Sequence, residues 1–403
     1  MSTFTPFLWL NGLARERDWL RERRDALCPL LPTALLTAGL ALVFAHYLFL
    51  VTGYTGPDGL CEGLLWATNL SWNVRLGRWL MAWTRQASLS IVMPALFFAA
   101  NTLGIALASL LLADLWQLRS RWFVAWTCIA FAVAPALVWQ ALVVHLTLSF
   151  ALSMLLAVAT VWLAFCQPSP FRFVLAVICM AFSMGGYQAY VGIAAGLTLL
   201  SVMLACNVID VIAPDVQVDR LMSYPLQFVL PFCLAVWALP AAPRVNRLTR
   251  AVGTVLTALV CWLFAISATA TYRTVALSYE YVGTLTDSIL NQVMADSDYT
   301  ADNRLLMAGF PDETRVQDAN ALYWYSQYQR SPLFWGGTHG ILDCWPTYLY
   351  DYHGFNAGGV TLAEYENIVS SAEFAAMPVY PQAGSITYFG DVLVVKLEEN
   401  PPQ

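Results

Sequence analysis

Long apolar stretches separated by short polar joints dominate the first 272 residues, after which the pattern dissolves into short alternating pieces. A helix that spans a bilayer needs about 20 apolar residues. Runs of that order fall at 30–52, 91–115, 122–141, 145–166, 171–184, 188–209 and 251–271. A shorter run, 226–242, is marked by Pro225, Pro231 and Pro240 and reads as a re-entrant element or one further crossing. The joint at 53–90 is itself patterned. Leu64, Leu65, Trp66, Leu70, Trp72, Leu76, Trp79, Leu80 and Trp83 recur among polar residues. This predicts one or two short helices at the membrane interface, where Trp favours the headgroup level. Residues 7–21 predict an amphipathic helix lying along the membrane surface.

Beyond 272 the chain starts helical, from Tyr279 to Met294, and then offers apolar pieces at 305–310, 384–390 and 392–397. The last two read as strands joined by a turn at Gly390-Asp391. The expected fold is an α-helical polytopic membrane protein in three parts. Residues 1–29 form a cytoplasmic amphipathic N-terminus. Residues 30–272 form a transmembrane domain of about 7–9 spans. Residues 273–403 form a small α+β extracytoplasmic domain.

Composition supports the membrane reading: 59% of residues are hydrophobic and 11% charged, against about 25% charged in soluble domains. The charge is divided. Residues 1–272 carry 15 basic and 10 acidic side chains, and 273–403 carry 5 and 16. No nucleic-acid partner is suggested by that balance. The first apolar run begins near Leu30 with no small-residue cleavage site behind it, which does not fit a cleavable signal. Arg15, Arg17, Arg21, Arg23 and Arg24 put the N-terminus in the cytoplasm, and Arg119, Arg121 and Arg172 fit the same side. Arg244, Arg247 and Arg250 also belong inside, so seven full crossings place the tail outside.

On that topology several polar features share the outer face. Asp58 and Glu62 stand just past the first span, followed by Arg75 and Arg78. Ionisable residues set among membrane spans are functional candidates by default. Asp58 or Glu62 can act as a general base, and Arg75 and Arg78 can hold phosphate through forked hydrogen bonds. Trp66, Trp72, Trp79, Tyr187 and Tyr190 can stack on sugar faces. Gln188, an amide at a span end, wants a partner, and His145 can carry a proton. Plainer readings stand beside these. Asp58 also suits a helix cap. Arg75 and Arg78, three apart on one interfacial helix, also suit lipid headgroups. Tyr187 and Tyr190 also suit an aromatic belt. His46 reads as packed within the first span, and Asp114 as paired with Arg119 or Arg121.

Seven of the nine cysteines lie in or beside apolar spans and read as small buried hydrophobes. Cys61 and Cys344 lie in polar segments and can pair if both face an oxidising compartment. No metal-type cysteine spacing occurs, and two carboxylates four apart are a thin case for a divalent cation. No cofactor is expected. P-loop, zinc-protease, hydrolase-elbow and dinucleotide motifs are missing from the sequence.

The Asp58-containing loop, Gly77-Arg78-Trp79 preceded by Arg75, and the segment Phe182-Ser183-Met184-Gly185-Gly186-Tyr187-Gln188-Ala189-Tyr190 form an ordered set. Met377-Pro378-Val379-Tyr380-Pro381, Gly384-Ser385-Ile386 and Val394-Val395-Lys396-Leu397 complete it. Together, over roughly 40–400, they resemble the type II bacteriophage-encoded O-antigen glucosyltransferase family, polytopic enzymes of the GT-C-like class. The resemblance implies transfer of a hexose, glucose above all, from undecaprenyl phosphate to a hydroxyl of O-antigen or another surface polysaccharide. It implies the periplasmic face of a bacterial inner membrane, with a separate donor synthase and flippase as partners. Carried onto this chain, the acidic residue of the first outer loop is Asp58, with Glu62 second. A flippase or transporter is the next reading, though mid-span charge is sparse and no paired repeat is visible. A polymerase of lipid-linked saccharides would share substrate and location.

Overall fold

The computed structural model describes residues 6–56, 60, 71–87, 93–143, 146–167, 169–190, 229–238, 243–300, 302–312 and 337–402. Its first part is helical throughout. In order come α1 (Pro6–Leu27), α2 (Leu31–Thr52), α3 (Ser71–Arg75), α4 (Trp79–Ala87), α5 (Pro94–Leu115), α6 (Arg121–Ala132), α7 (Pro135–Leu142), α8 (Thr147–Phe165), α9 (Pro170–Gly186), α10 (Val229–Ala238) and α11 (Pro243–Ala295). Among the described residues four helical runs are long and apolar enough to cross a membrane, and α6 with α7 makes a fifth if that bent pair is one span. The chain is a multi-pass helical membrane protein.

The inside-out patterning of α2 shows why. Ala34, Ala38, Ala41 and Ala45 are buried, whereas Leu36, Leu40, Phe44, Tyr47 and Val51 are exposed. Small residues let helix backbones approach inside a bilayer, and large apolar ones face lipid without penalty. The N-terminal lead does not lie apart from this bundle. Ala14–Thr52 forms one helical run of 39 residues, continuous through a single 3₁₀ turn at Cys28–Leu30. Trp19 packs on Trp162 at 4.8 Å, and Arg172 covers its ring at 4.0 Å. Arg172 also binds Glu16 at 2.6 Å. Asp114, fully buried, accepts from Arg119 at 2.6 Å, from Arg23 at 3.4 Å and from the Trp162 indole at 2.8 Å. The expected partner Arg119 is therefore present, and Arg23 joins it from α1. Cys28 departs from the expectation for the apolar-span cysteines: it is exposed at the α1–α2 junction.

The run at 122–141 is broken. Pro135 lacks an N–H, α6 ends at Ala132, and α7 leaves at 49°. The Ala132 carbonyl is answered by His46 Nε2 at 2.9 Å, and His46 Nδ1 meets the Tyr272 hydroxyl at 2.5 Å. His46 is the packed residue expected, and it carries a non-helical backbone within α2.

α11 extends the last span without interruption across the expected 272/273 boundary. Its 53 residues measure about 80 Å at about 1.5 Å per residue, far more than a bilayer core. The C-terminal domain docks on its upper half. There α12 (Trp345–His353), α13 (Leu362–Val369) and α14 (Ala372–Ala376) surround a three-stranded sheet of β1 (Arg304–Ala308), β2 (Ile386–Phe389) and β3 (Val392–Lys396). β3 is central: β1 pairs with it in parallel, Leu306 opposite Val394, and β2 antiparallel, Tyr388 opposite Leu393. The β2–β3 hairpin at Gly390-Asp391 is the predicted one; β1 is an addition.

Strand alternation then sorts the core. Leu305, Met307, Leu393 and Val395 join the cluster that contains Tyr279 and Tyr348, while Leu306, Ala308, Val392 and Val394 join Tyr365 and Phe374. β3 is thus covered on both faces, which is why it reads as an unbroken apolar run. Each of the buried Leu, Val and Met side chains contributes about 1.5–3 kcal/mol. Lys396, the lone lysine, is buried at the strand's end, where its ammonium donates to the carbonyls of Phe374 and Met377 at 3.2 and 2.9 Å. The end of α14 supplies the negative dipole end that suits it. Ser288 and Gln292, one turn apart on α11, meet Tyr380, and Asp296 just past the helix end accepts from Tyr388.

Two outcomes follow from these contacts. Replacing His46 by Leu leaves the Ala132 carbonyl and Tyr272 hydroxyl without their partner and should lower stability by about 1–3 kcal/mol. Thermal unfolding in detergent, with lipid-facing Leu36→Ala as the neutral control, reads this. The second outcome concerns Arg304, which forks onto Glu364 and Asp391 at 2.9–3.1 Å. The Arg304 fork, with the Thr361 cap, lowers the Glu364 carboxyl from its ordinary 4.5 to about 2. A depressed folded-state value means stability fully present above pH 4.5 and lost as pH falls towards 2. Melting temperature should drop across that window, and Arg304→Gln should remove most of the slope.

Candidate functional site

The end of the bundle reached by α2, α7, α9 and the rising α11 collects polar side chains. It begins with the chain after α2, where Gly53 adopts a left-handed conformation (φ 64°) and closes the helix onto Phe49. The Gly56 N–H then donates to the Leu142 carbonyl at 3.0 Å, fastening this segment to the end of α7. Tyr54 stacks on Tyr279 of α11 with ring centres 4.2 Å apart and planes 3° from parallel.

Arg75 and Arg78 do not share a helix, contrary to the sequence expectation. α3 ends at Arg75, and Gly77 (φ 76°) makes a left-handed turn. The Gly77 N–H returns to Val74 O and the Arg78 N–H to Asn73 O at 2.9 and 2.8 Å. This double closure around a C-terminal glycine is what ends the helix. It leaves Arg75 exposed and turns Arg78 inward, ahead of α4.

Arg78 is half-buried and fixed from two sides. Its Nε donates to Gln188 Oε1 at 3.0 Å, and its guanidinium lies 4.8 Å above the Tyr187 ring. Gln188 Nε2 in turn donates to the Leu76 carbonyl. The Nη edge of Arg78 has no protein partner among the described residues. An arginine held by Nε and by a π face presents two parallel N–H donors, the geometry that suits a phosphate or carboxylate. Tyr190 is buried and receives a hydrogen bond from Gln140 Nε2 at 2.7 Å. Tyr187 and Tyr190 meet edge to face at 6.3 Å. Arg78, Tyr187, Gln188 and Tyr190 therefore converge, and Gln140 joins them. Trp79 is placed differently: it packs on Phe182 and Trp83 at 4.8 and 5.3 Å and against Gly185.

Gly185 and Gly186 are what allow this convergence. A Cβ on Gly185 would overlap the Trp79 indole, and one on Gly186 would overlap the Ser153 hydroxyl. α9 closes onto α4 and α8 only because both side chains are missing.

A second polar group lies on the α11 side of the same end. Thr55 and Tyr352 both reach the Tyr279 hydroxyl, at 3.5 and 3.3 Å, and Tyr348 stacks beside Tyr352 at 5.3 Å. No local pattern in the sequence joins these tyrosines; only the length of α11 signals that α12 meets it. Asp58, Glu62 and His145 lie outside the described residues, as do Cys61 and Trp66. Cys344 is buried and disulfide-bonded. Its partner is not among the described cysteines, since Cys28, Cys128, Cys166, Cys179, Cys233 and Cys261 are free. Among the described residues no group of His, Cys, Asp or Glu could hold a metal ion.

No family model, curated protein or solved structure matches this chain.

The close approach at Gly186 yields a direct test. Gly186→Ala should cost about 1–3 kcal/mol through overpacking, read as a lower melting temperature in detergent. Adding Ser153→Ala should restore part of it, because the hydroxyl it would strike is gone.

Proposed function

We propose that the chain is a membrane glycosyltransferase. It moves a hexose, glucose above all, from an undecaprenyl-phosphate carrier to a hydroxyl of O-antigen or another surface polysaccharide, at the periplasmic face of a bacterial inner membrane. The observation that carries this reading is Arg78: a guanidinium fixed by Gln188 and Tyr187, with its Nη edge unpaired among the described residues. Such a group stabilises the negative charge that grows on a phosphate leaving group.

In this reading Arg78, with Arg75 nearby in the chain, holds the donor phosphate. Tyr187, Gln188 and Tyr190 shape the sugar pocket, with His145 as a further candidate for substrate contact. Asp58, three residues beyond Thr55, takes the acceptor proton, with Glu62 as the second candidate. The hexose C1–O bond to phosphate breaks with its electron pair going to the phosphate oxygen, and the acceptor oxygen closes the new bond. A lateral apolar cleft of about 390 Å³, lined by Leu40, Phe44, Trp126, Val133 and Trp262 among others, suits the isoprenoid chain of such a donor. The cytoplasmic N-terminus and periplasmic tail are supported by the arginines near α1 and by the Cys344 disulfide, a bond that persists in oxidising compartments. The donor synthase and flippase are separate proteins in this scheme, and no metal or other cofactor is invoked.

Mass spectrometry of surface polysaccharide should show one added hexose per repeat in cells carrying the gene and none without it. Asp58→Asn should lower transfer by about 10²–10⁴. Arg78→Lys should recover little of what Arg78→Ala loses, because it keeps the charge but not the fork. Altered chain length with unchanged repeat mass would instead identify a polymerase, and altered surface amount a transporter.

A further inference from the structure

The tyrosine cluster on the α11 side contains one feature that packing leaves unexplained. His353 of α12 pairs through Nδ1 with Asp287 of α11 at 3.1 Å. Its Nε2 is buried and has no hydrogen-bond partner among the described residues. A carboxylate only accepts, so in the neutral ring the shared proton sits on Nδ1, and Nε2 keeps a lone pair. A buried acceptor without a donor is disfavoured, and a ligand hydroxyl would relieve it.

The surroundings indicate what kind of ligand. Tyr348 meets the His353 ring edge to face at 5.3 Å and stacks on Tyr352. Tyr352, itself 39% exposed, opens the cluster to solvent. The hydroxyls of Tyr352, Tyr279 and Thr55 form a line from the tail to the segment that leads into Asp58. Among the described residues the partners in this cluster are a carboxylate, hydroxyls and aromatic rings, none of which selects a phosphate. Aromatic faces beside neutral donors and acceptors suit a sugar ring. The Arg78 side, by contrast, is cationic.

We propose that His353 and Tyr352 of the tail, with Tyr279 and Thr55, form a subsite for one sugar ring of the acceptor polysaccharide, His353 Nε2 accepting from a ring hydroxyl. Asp287 is the positioning residue that fixes the imidazole. The inference rests on the glycosyltransferase reading and assigns the tail domain a part in acceptor recognition. It adds no covalent step.

The test uses the full-length protein in detergent, with undecaprenyl-phosphate glucose as donor and delipidated polysaccharide from the host cell surface as acceptor. His353→Ala should raise the KM for polysaccharide about tenfold or more and leave the KM for donor in place. His353→Gln, whose amide oxygen can stand where Nε2 stood, should recover much of the loss. An unchanged acceptor KM would overturn the subsite. So would equal loss in both variants accompanied by equal falls in melting temperature, the mark of a structural histidine. Saturation-transfer NMR of the same polysaccharide with wild type and His353→Ala judges the subsite even if no hexose is transferred. Loss of signal in the variant supports it, and equal signal rejects it. Failure of wild type to transfer hexose would reject the enzyme reading alone.

Discussion

One backbone carbonyl organises the bundle. Inside a bilayer no water can answer an unpaired peptide group, so each must find a partner within the protein. Pro135 has no N–H for the Phe131 carbonyl, so the helix stops at Ala132, and His46 reaches across from α2 to take the Ala132 carbonyl at the break. The break redirects α7, and the redirected helix brings Gln140 beneath Tyr190 and the Leu142 carbonyl to Gly56. Tyr272 closes the other side of the imidazole, so the same residue also ties α11 to the two helices. The position of the candidate site is a downstream result of that one satisfied acceptor.

The two ends of the bundle use charge in opposite ways. At the α1 end, Asp114 is surrounded by Arg23, Arg119 and the Trp162 indole, and Glu16 by Arg172 and Ser169. Carboxylates and guanidiniums there complete one another, which holds α1 in place. At the other end Arg78 is fixed by a neutral amide and a tyrosine ring. A cation stabilised without an anion remains available to one.

Much of this was legible from local pattern. The apolar runs at 30–52, 91–115, 145–166 and 251–271 and the 390–391 hairpin could be read because each depends on composition or on neighbours in sequence, while the expected span at 188–209 falls almost wholly outside the described residues. The departures have a common cause. β1 pairs in parallel with β3 across more than eighty intervening positions, and no periodicity in either strand announces the other. The Gly77 turn separates Arg75 from Arg78 through a single positive φ, which helical spacing alone overlooks. The 272/273 boundary followed the end of hydrophobicity, yet a helix can leave the apolar region without ending. Tyr54, Tyr279 and Tyr352 come together only because α11 continues.

That continuity sets a phase relation. Between the span and the sheet there is one unbroken helix, so the azimuth of everything docked on its upper half is counted in residues. At 3.6 residues per turn, inserting one residue above Tyr272 would swing the docked domain by about 100° and raise it by about 1.5 Å. Seven residues would nearly restore the angle but lift it by about 10 Å. The length of this segment is therefore quantised in whole turns, and its sequence can vary far more freely than its residue count.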